Sequence, residues 1–181
     1  EPKIKMMGIE AIKSSTPQPC REAMKALFGV IMTGSEENTQ NAIALFKEHF
    51  KTLRPEEIAF PRGVSDITKW ANPDTVYNKG TPMHVRASLL YNTAIKKNGL
   101  DNKYELIQNG DKIKYVYMMV PNPLQENVFG FKDSFPDELS YNKYINYNLQ
   151  FQKTFIDPVE SILKSIGWSS EKQLDLQSFF C

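Results

Sequence analysis

The chain has 181 residues, 41% of them apolar and 24% charged, with a net charge of +1. That balance fits one globular domain, or one domain with an appendage, and excludes a disordered chain. It neither demands nor excludes a nucleic-acid partner, so any nucleic-acid surface has to be a local patch.

No apolar run is long enough to cross a bilayer, and no apolar core follows the first lysines as in a signal peptide. Cys20 and Cys181 are the only cysteines. They are too few for a disulfide framework and lack metal-ligand spacing, so a reducing compartment is expected. The chain opens in mid-pattern without a Met, and a piece of a longer protein is expected.

Residues 3–12, K-I-K-M-M-G-I-E-A-I, are apolar and partly alternating and predict a strand. K-S-S-T-P then opens a helix, with Ser15 or Thr16 as cap and Pro17 in the first turn, where its missing N–H costs nothing. Met24, Leu27, Phe28 and Ile31 follow at helical spacing, and Gly34 closes the helix. Ser35 caps a second helix, with Glu36 and Glu37 at its positive end and Ala42, Leu45, Phe46, His49 and Leu53 as its apolar stripe. His49 on that stripe is expected in the core. The short connection predicts an antiparallel pair.

From Arg54 to Pro82 prolines and glycines break the pattern, with one short helix expected near Asp66 to Trp70. A third full helix follows, with Thr81 as cap, Pro82 in its first turn, Lys96 and Lys97 in its last turn and Gly99 at its end. Asn109-Gly110 is a strong hairpin signal inside Y-E-L-I-Q-N-G-D-K-I-K-Y-V-Y-M-M-V. A further strand is expected at Val128 to Phe131. From Tyr141 to Ile166 the period is helical again, with Ile145, Leu149, Phe155, Val159, Ile162 and Ile166 on one face and Pro158 breaking or kinking it. Helices, a small antiparallel unit, then helices make the fold class α+β, mostly helical.

The chemistry-bearing motifs are missing. There is no Walker loop, dinucleotide turn, nucleophile elbow or His-Glu-x-x-His, and no Asp-x-Asp pair to hold two metals. The acidic pairs Glu36-Glu37 and Glu56-Glu57 sit at helix starts, where the dipole explains them. Most of the lysines fit an ordinary solvated surface. Three sites stand out. Lys5 lies in an apolar stretch beside Gly8, where a backbone can approach a ligand. Arg62 stands between Pro61 and Gly63 in an irregular loop. His84 and Arg86 occupy the first turn of a helix, where free N–H groups favour a phosphate; the alternative, that both face water, stays open.

E-P-K-I-K-M-M-G-I-E-A-I-K-S-S-T-P, with Lys5, Gly8, Glu10, Ser15, Thr16 and Pro17, resembles the palm-to-thumb segment of family B DNA polymerases of T-even-like bacteriophages. S-D-I-T-K-W, T-P-M-H-V-R-A-S-L-L-Y and L-Q-F-Q-K-T-F-I-D-P resemble, in the same order, stretches of the thumb. The resemblance covers essentially the whole chain. It implies an end-of-palm strand over 1–13, a thumb over 14–170 and a terminal tail over 171–181. It further implies a thumb that grips the backbone of primer–template DNA through Lys5, Arg62, Lys69, Lys79, His84, Arg86 and Lys153, with Lys5 as the primer-strand phosphate contact. Gln18 departs from the basic residue common in the family after Ser-Thr-Pro, which speaks against a phosphate contact there. The palm aspartates that hold two Mg2+ ions would precede Glu1, so the fragment itself is expected to need no cofactor and to be inactive. A host-cytoplasmic location follows from phage replication.

The chain ends in Q-L-D-L-Q-S-F-F-C. Exposed terminal aromatics mark either a strap on the protein's own core or a hook for a partner. Gln173, Leu176, Phe179 and Phe180 match the sliding-clamp box, and Leu176, Phe179 and Phe180 would share one helical face for an apolar pocket. The expected partners are therefore duplex DNA, a sliding clamp and the rest of the polymerase, with no membrane. Two other readings stay open: a non-catalytic adaptor that binds DNA and clamp, and a plain helical interaction domain. An Asp-Thr-Asp-Ser type motif upstream of Glu1 would separate the polymerase from the adaptor.

Overall fold

The computed structural model describes Gly8 and residues 12–172. Lys5 and the tail residues Gln173, Leu176, Phe179 and Phe180 lie outside the described residues, as does most of the expected strand 3–12. Gly8 is itself helical, its carbonyl accepting the Ile12 N–H at 3.3 Å.

In chain order the elements are α1 (Gln18–Thr33), α2 (Glu36–Phe50), α3 (Pro55–Ile58), β1 (Phe60–Gly63), α4 (Ile67–Trp70), β2 (Ala71–Asn72), β3 (Val76–Tyr77), α5 (Met83–Lys97), β4 (Lys112–Tyr117), β5 (Val128–Phe131), α6 (Tyr147–Phe151) and α7 (Asp157–Ser165). The fold is α+β and mostly helical. It divides into two compact units, one from Glu1–Leu53 with Phe151–Cys181 and one from Arg54–Gln150.

The first unit is helical. α1 buries Cys20, Met24, Leu27 and Ile31, one face at helical spacing. Its N-cap is Pro17 without a side-chain cap; the Thr16 N–H instead closes a turn onto the Lys13 carbonyl at 3.0 Å. Gly34 ends the helix as expected. A Cβ there would lie 2.9 Å from the Val30 oxygen, to which the Gly34 N–H donates at 2.7 Å.

Ser35 then caps α2 reciprocally. Its Oγ accepts the Asn38 N–H at 3.1 Å and the Asn38 Oδ1 accepts the Ser35 N–H at 3.0 Å, a capping box with Asn in the place of Glu or Gln. The buried stripe of α2 is Thr39, Ile43 and Phe50, with Phe46 half-buried. This corrects the expected stripe: His49 is exposed, not in the core, and Leu45 is 74% exposed. The rings set the rotation. Phe46 packs on Phe155 at 4.8 Å between centroids, Phe50 on Phe151 at 5.2 Å, and Phe151 stacks on Phe155 at 5.4 Å. Each such pair adds to plain area burial, so the face holding residues 46 and 50 turns inward.

Between α6 and α7, Gln152–Ile156 forms a π-helical turn, and the Asp157 N–H reaches back five residues to the Gln152 carbonyl. Pro158 accounts for the irregularity, since it has no N–H and its ring crowds the carbonyl four residues earlier. Gly167 takes φ +76 and closes α7 in a Schellman turn. The Gly167 N–H donates to Lys164 and the Trp168 N–H to Leu163, the paired bonds that consume orphan carbonyls at a helix end.

The second unit is built on the antiparallel sheet β1-β4-β5. In register, Phe60 faces Tyr115 and Arg62 faces Ile113, while Tyr115 also faces Gly130. Residues 104–107 form no strand, which corrects the expected hairpin. Asn109-Gly110 does turn, with Gly110 at φ +88, but it delivers β4 to β1, about 50 residues earlier in the chain. Two contacts hold 104–107 against α5 instead. The Asn92 carboxamide donates to the Ile107 carbonyl at 2.9 Å and accepts the Ile107 N–H at 2.8 Å. The Tyr91 hydroxyl donates to the Glu105 carbonyl at 2.9 Å.

α5 lies directly on the sheet. A Cβ on Gly130 would lie 3.0 Å from the Ala87 carbonyl carbon and oxygen, a tighter contact than side chains usually make with backbone, so glycine favours this close approach. At the far end of β4, buried Gln150 accepts the Tyr117 N–H at 2.9 Å and donates to the Ile58 carbonyl at 2.8 Å.

Gly130→Ala must push α5 off β5. Overpacking of this kind costs about 1–3 kcal/mol, to be read as a lowered midpoint in thermal unfolding. An unchanged midpoint would show that α5 can shift freely.

Candidate nucleic-acid interface

Five of the residues singled out by sequence, Arg62, Lys69, Lys79, His84 and Arg86, fall in the second unit; Lys153 falls in the first. Lys69 and Lys79 sit on a short arm. α4 starts at Asp66, in the left-handed region at φ 58, and its Ile67 N–H donates to the Asn109 Oδ1 at 2.6 Å. β2 and β3 pair through Ala71 and Tyr77. Asn72 shapes the turn between them by accepting the Asp74 and Thr75 N–H groups at 2.9 and 3.2 Å, an Asx turn. Asn78 ties the hairpin back to α4. Its N–H donates to the Trp70 carbonyl at 2.9 Å, its Nδ2 to the Lys69 carbonyl at 3.4 Å, and its Oδ1 accepts from Asn72 at 3.0 Å. Lys69 and Lys79 are exposed on this arm, and Lys69 Nζ lies 5.2 Å from the centre of the Trp70 ring.

Val76 in this hairpin has φ +73. A β-branched residue in the left-handed region is strained by about 1–3 kcal/mol, so the arm does not hold this shape by itself. Gly80, at φ +86, turns the chain toward α5. The expected cap of that helix, Thr81, has another partner: its hydroxyl donates to the Asn78 carbonyl at 2.5 Å. α5 has Pro82 as N-cap, no side-chain cap and no acid in its first turn.

Each remaining cation has its own setting. Arg62 is half-buried; it donates to the Pro61 carbonyl at 2.8 Å and its guanidinium stands 5.3 Å from the Phe60 ring and 5.8 Å from the Tyr115 ring. His84 has its pKa lowered, first by burial and then by the positive charge of Arg62. The two are thus brought together, and His84 is neutral at neutral pH, a hydrogen-bonding partner for an anion more than a charge.

Arg86 is occupied. Its Nη1 donates to the Glu126 Oε1 at 3.0 Å and to the Asn127 Oδ1 at 2.9 Å, and its guanidinium stands 5.7 Å from the Tyr77 ring. The Tyr77 hydroxyl donates to the same carboxylate at 2.7 Å. Lys153, on the π-helical turn, pairs with Asp157 at 3.6 Å, an exposed contact of little energetic weight.

A cleft of about 690 Å³ on the helical unit is lined by Glu36, Glu37, Glu160 and Glu171, with Lys164 and Lys172. Its acidic majority is unsuited to a phosphate backbone. Among the described residues no group of three His, Cys, Asp or Glu side chains is placed to hold a metal ion, and no helix is long and apolar enough to cross a membrane.

Over 99% of its length the chain is similar to two curated proteins. It is 27% identical over 184 residues to the DNA-directed DNA polymerase of Enterobacteria phage T4, and 28% identical over 186 residues to that of Escherichia phage RB69. Its relatives are phage DNA polymerases. The chain spans about 20% of the length of each. No protein-family model matches it. The resemblance read from the sequence motifs is therefore present along the chain.

Sequence reading missed Trp70, Tyr77 and Glu126. Trp70 carries a local signal, as an aromatic beside an exposed lysine. Glu126 carries none, because its partners lie 40 and 49 residues away.

A histidine pKa depressed in the folded state makes folding weaker in acid: the contribution is present above the ordinary value of about 6.5 and is lost as pH falls below it. His84→Gln should remove that part of the acid sensitivity between the ordinary and the lowered midpoint, seen in denaturant unfolding at stepped pH. Arg62→Gln should raise the His84 titration midpoint in NMR yet leave it below the ordinary value, since burial is the larger cause.

Proposed function

We propose that the chain is the C-terminal part of a replicative family B DNA polymerase acting in the host cytoplasm. Residues 1–13 end the palm, 14–170 form the thumb and 171–181 form a clamp-binding tail. The thumb holds the primer–template duplex by its phosphates, and Gln173, Leu176, Phe179 and Phe180 tether the enzyme to its sliding clamp. The observation that carries this reading is the similarity of nearly the whole chain to two phage DNA polymerases.

The surface chemistry agrees with it. Exposed Lys69 and Lys79 flank a hairpin in a chain of nearly balanced charge, and lysine is a point charge that suits phosphates. A replicative enzyme has to hold every sequence, so its contacts go to the backbone and not to base edges. Arg62 and His84 add a weaker, partly buried edge. Arg86 contributes through its partners, because its charge is already countered by Glu126. The two Mg2+ ions of such an enzyme belong to palm aspartates, and the thumb needs no cofactor.

The test is titration of the 181-residue chain with primer–template duplex across a salt series. The expected result is sequence-independent binding whose logarithm falls linearly with the logarithm of salt. Lys69→Ala with Lys79→Ala should flatten that slope by about 2, near 0.9 for each phosphate that is no longer neutralised. A slope near zero, or no binding at low salt, sinks the duplex reading and favours a plain interaction domain. Truncation before Gln173 should abolish clamp binding and leave duplex affinity unchanged; equal clamp affinity with and without the tail removes the tether.

A further inference from the structure

Resting on the duplex-grip reading above, we propose that Glu126 is a positioning residue for it: through Tyr77 it fixes the β2–β3 hairpin, and with it Lys69 and Lys79, at the angle the duplex requires. A carboxylate on a phosphate-binding face is unfavourable unless it is neutralised. Glu126 is neutralised by Arg86 at 3.0 Å, with both side chains about one-fifth exposed. The pair is therefore electrically quiet, and what remains of its role is geometric.

The geometry is specific. The Tyr77 hydroxyl donates to Glu126 at 2.7 Å to one oxygen and 3.1 Å to the other. Tyr77 pairs with Ala71, and its neighbour Asn78 binds the carbonyls of Lys69 and Trp70. Strands of two residues do not hold themselves together, and the strained Val76 pulls against the hairpin. The bond from Tyr77 to Glu126 ties the hairpin to residues 49 positions away. Without that bond Val76 relaxes and Lys69 and Lys79 swing out of register.

Tyr77→Phe removes one hydroxyl and keeps the ring under Arg86; Glu126→Ala removes the anchor, and Glu126→Gln keeps an acceptor. All are made in a Trp168→Phe background, so that emission reports Trp70 alone. Tyr77→Phe and Glu126→Ala should red-shift Trp70 and raise its acrylamide quenching; Tyr77→Phe, which leaves the Arg86–Glu126 pair in place, should also weaken duplex binding about tenfold and flatten the salt slope as the double lysine variant does. Adding the lysine substitutions to Tyr77→Phe should cost little more, because they remove the same interactions. Glu126→Gln, which keeps the acceptor for the Tyr77 hydroxyl, should hold Trp70 emission at the parent value. A merely structural role would lower the unfolding midpoint and leave the slope of the folded fraction intact. Unchanged Trp70 emission, or weaker affinity at constant slope and additive with the lysines, overturns the proposal. Failure of the duplex reading looks different: there the double lysine variant binds as the parent does, whatever Trp70 reports.

Discussion

Around its short strands and α5 the second unit runs through long irregular segments, whose backbone groups near the core still need partners, because a buried N–H or carbonyl left alone costs about 1–3 kcal/mol. Carboxamide side chains supply them. Asn92 pairs with both polar groups of Ile107, Asn109 caps α4, Asn72 and Asn78 build the hairpin, and Gln150 joins Tyr117 to Ile58. Asn122 does the same in the loop before β5, donating to the Met119 and Glu126 carbonyls. Each is a donor and an acceptor on one planar group, the one side-chain chemistry that can imitate a strand neighbour. Their positions decide where the loops run, and hence where the cations stand.

The same requirement separates the cations into two kinds. Arg86 and Lys132 are consumed by carboxylates: Arg86 by Glu126, Lys132 by Glu105 and Asp111 at 2.9 and 3.2 Å. Lys114 is consumed by the Glu56 carbonyl at 2.8 Å. These groups hold loops together and offer little to an external anion. Lys69 and Lys79 are exposed on a braced arm. A flexible lysine on a firm base loses little more than its own rotamer freedom when it meets a phosphate. The arm is braced by a half-buried, neutralised pair while its lysines stay exposed, a division that a count of cations does not reveal.

That division also sets what can be read from the chain alone. α1, α2 and α5 are legible because their signals are local: a proline at the start, Ser35 before two acids, Gly34 and Gly99 at the ends. β5 is legible as a short apolar run. The hairpin at Asn109-Gly110 misleads because turn chemistry is local and strand pairing is not; Asn92 and Tyr91 hold residues 104–107 against α5, and β4 takes β1 instead. His49 misleads because Ala42, Leu45, Phe46 and His49 fit one stripe by spacing, while the ring contacts of Phe46 and Phe50 with Phe151 and Phe155, from a distant segment, rotate the helix toward the neighbouring face of Ile43 and Phe50. The partner of Arg86 is hidden too, because Glu126 lies 40 residues away. In each case the deciding contact lies more than a dozen residues away in the chain.

The root of the tail follows the same physics. After Gly167 turns the chain, the Ser169 N–H donates to the Glu36 Oε2 at 2.8 Å and its carbonyl accepts from Gln40 Nε2 at 3.0 Å. Glu36 lies in the first turn of α2, where its carboxylate also complements the dipole. The segment leading to Gln173 is therefore docked on a helix whose reciprocal cap fixes that turn. These two hydrogen bonds from one residue fix the chain leaving α7 at the first turn of α2. The acidic cleft lined by Glu36, Glu37, Glu160 and Glu171 lies beside the same anchor, so this surface of the helical unit is unsuited to a phosphate backbone.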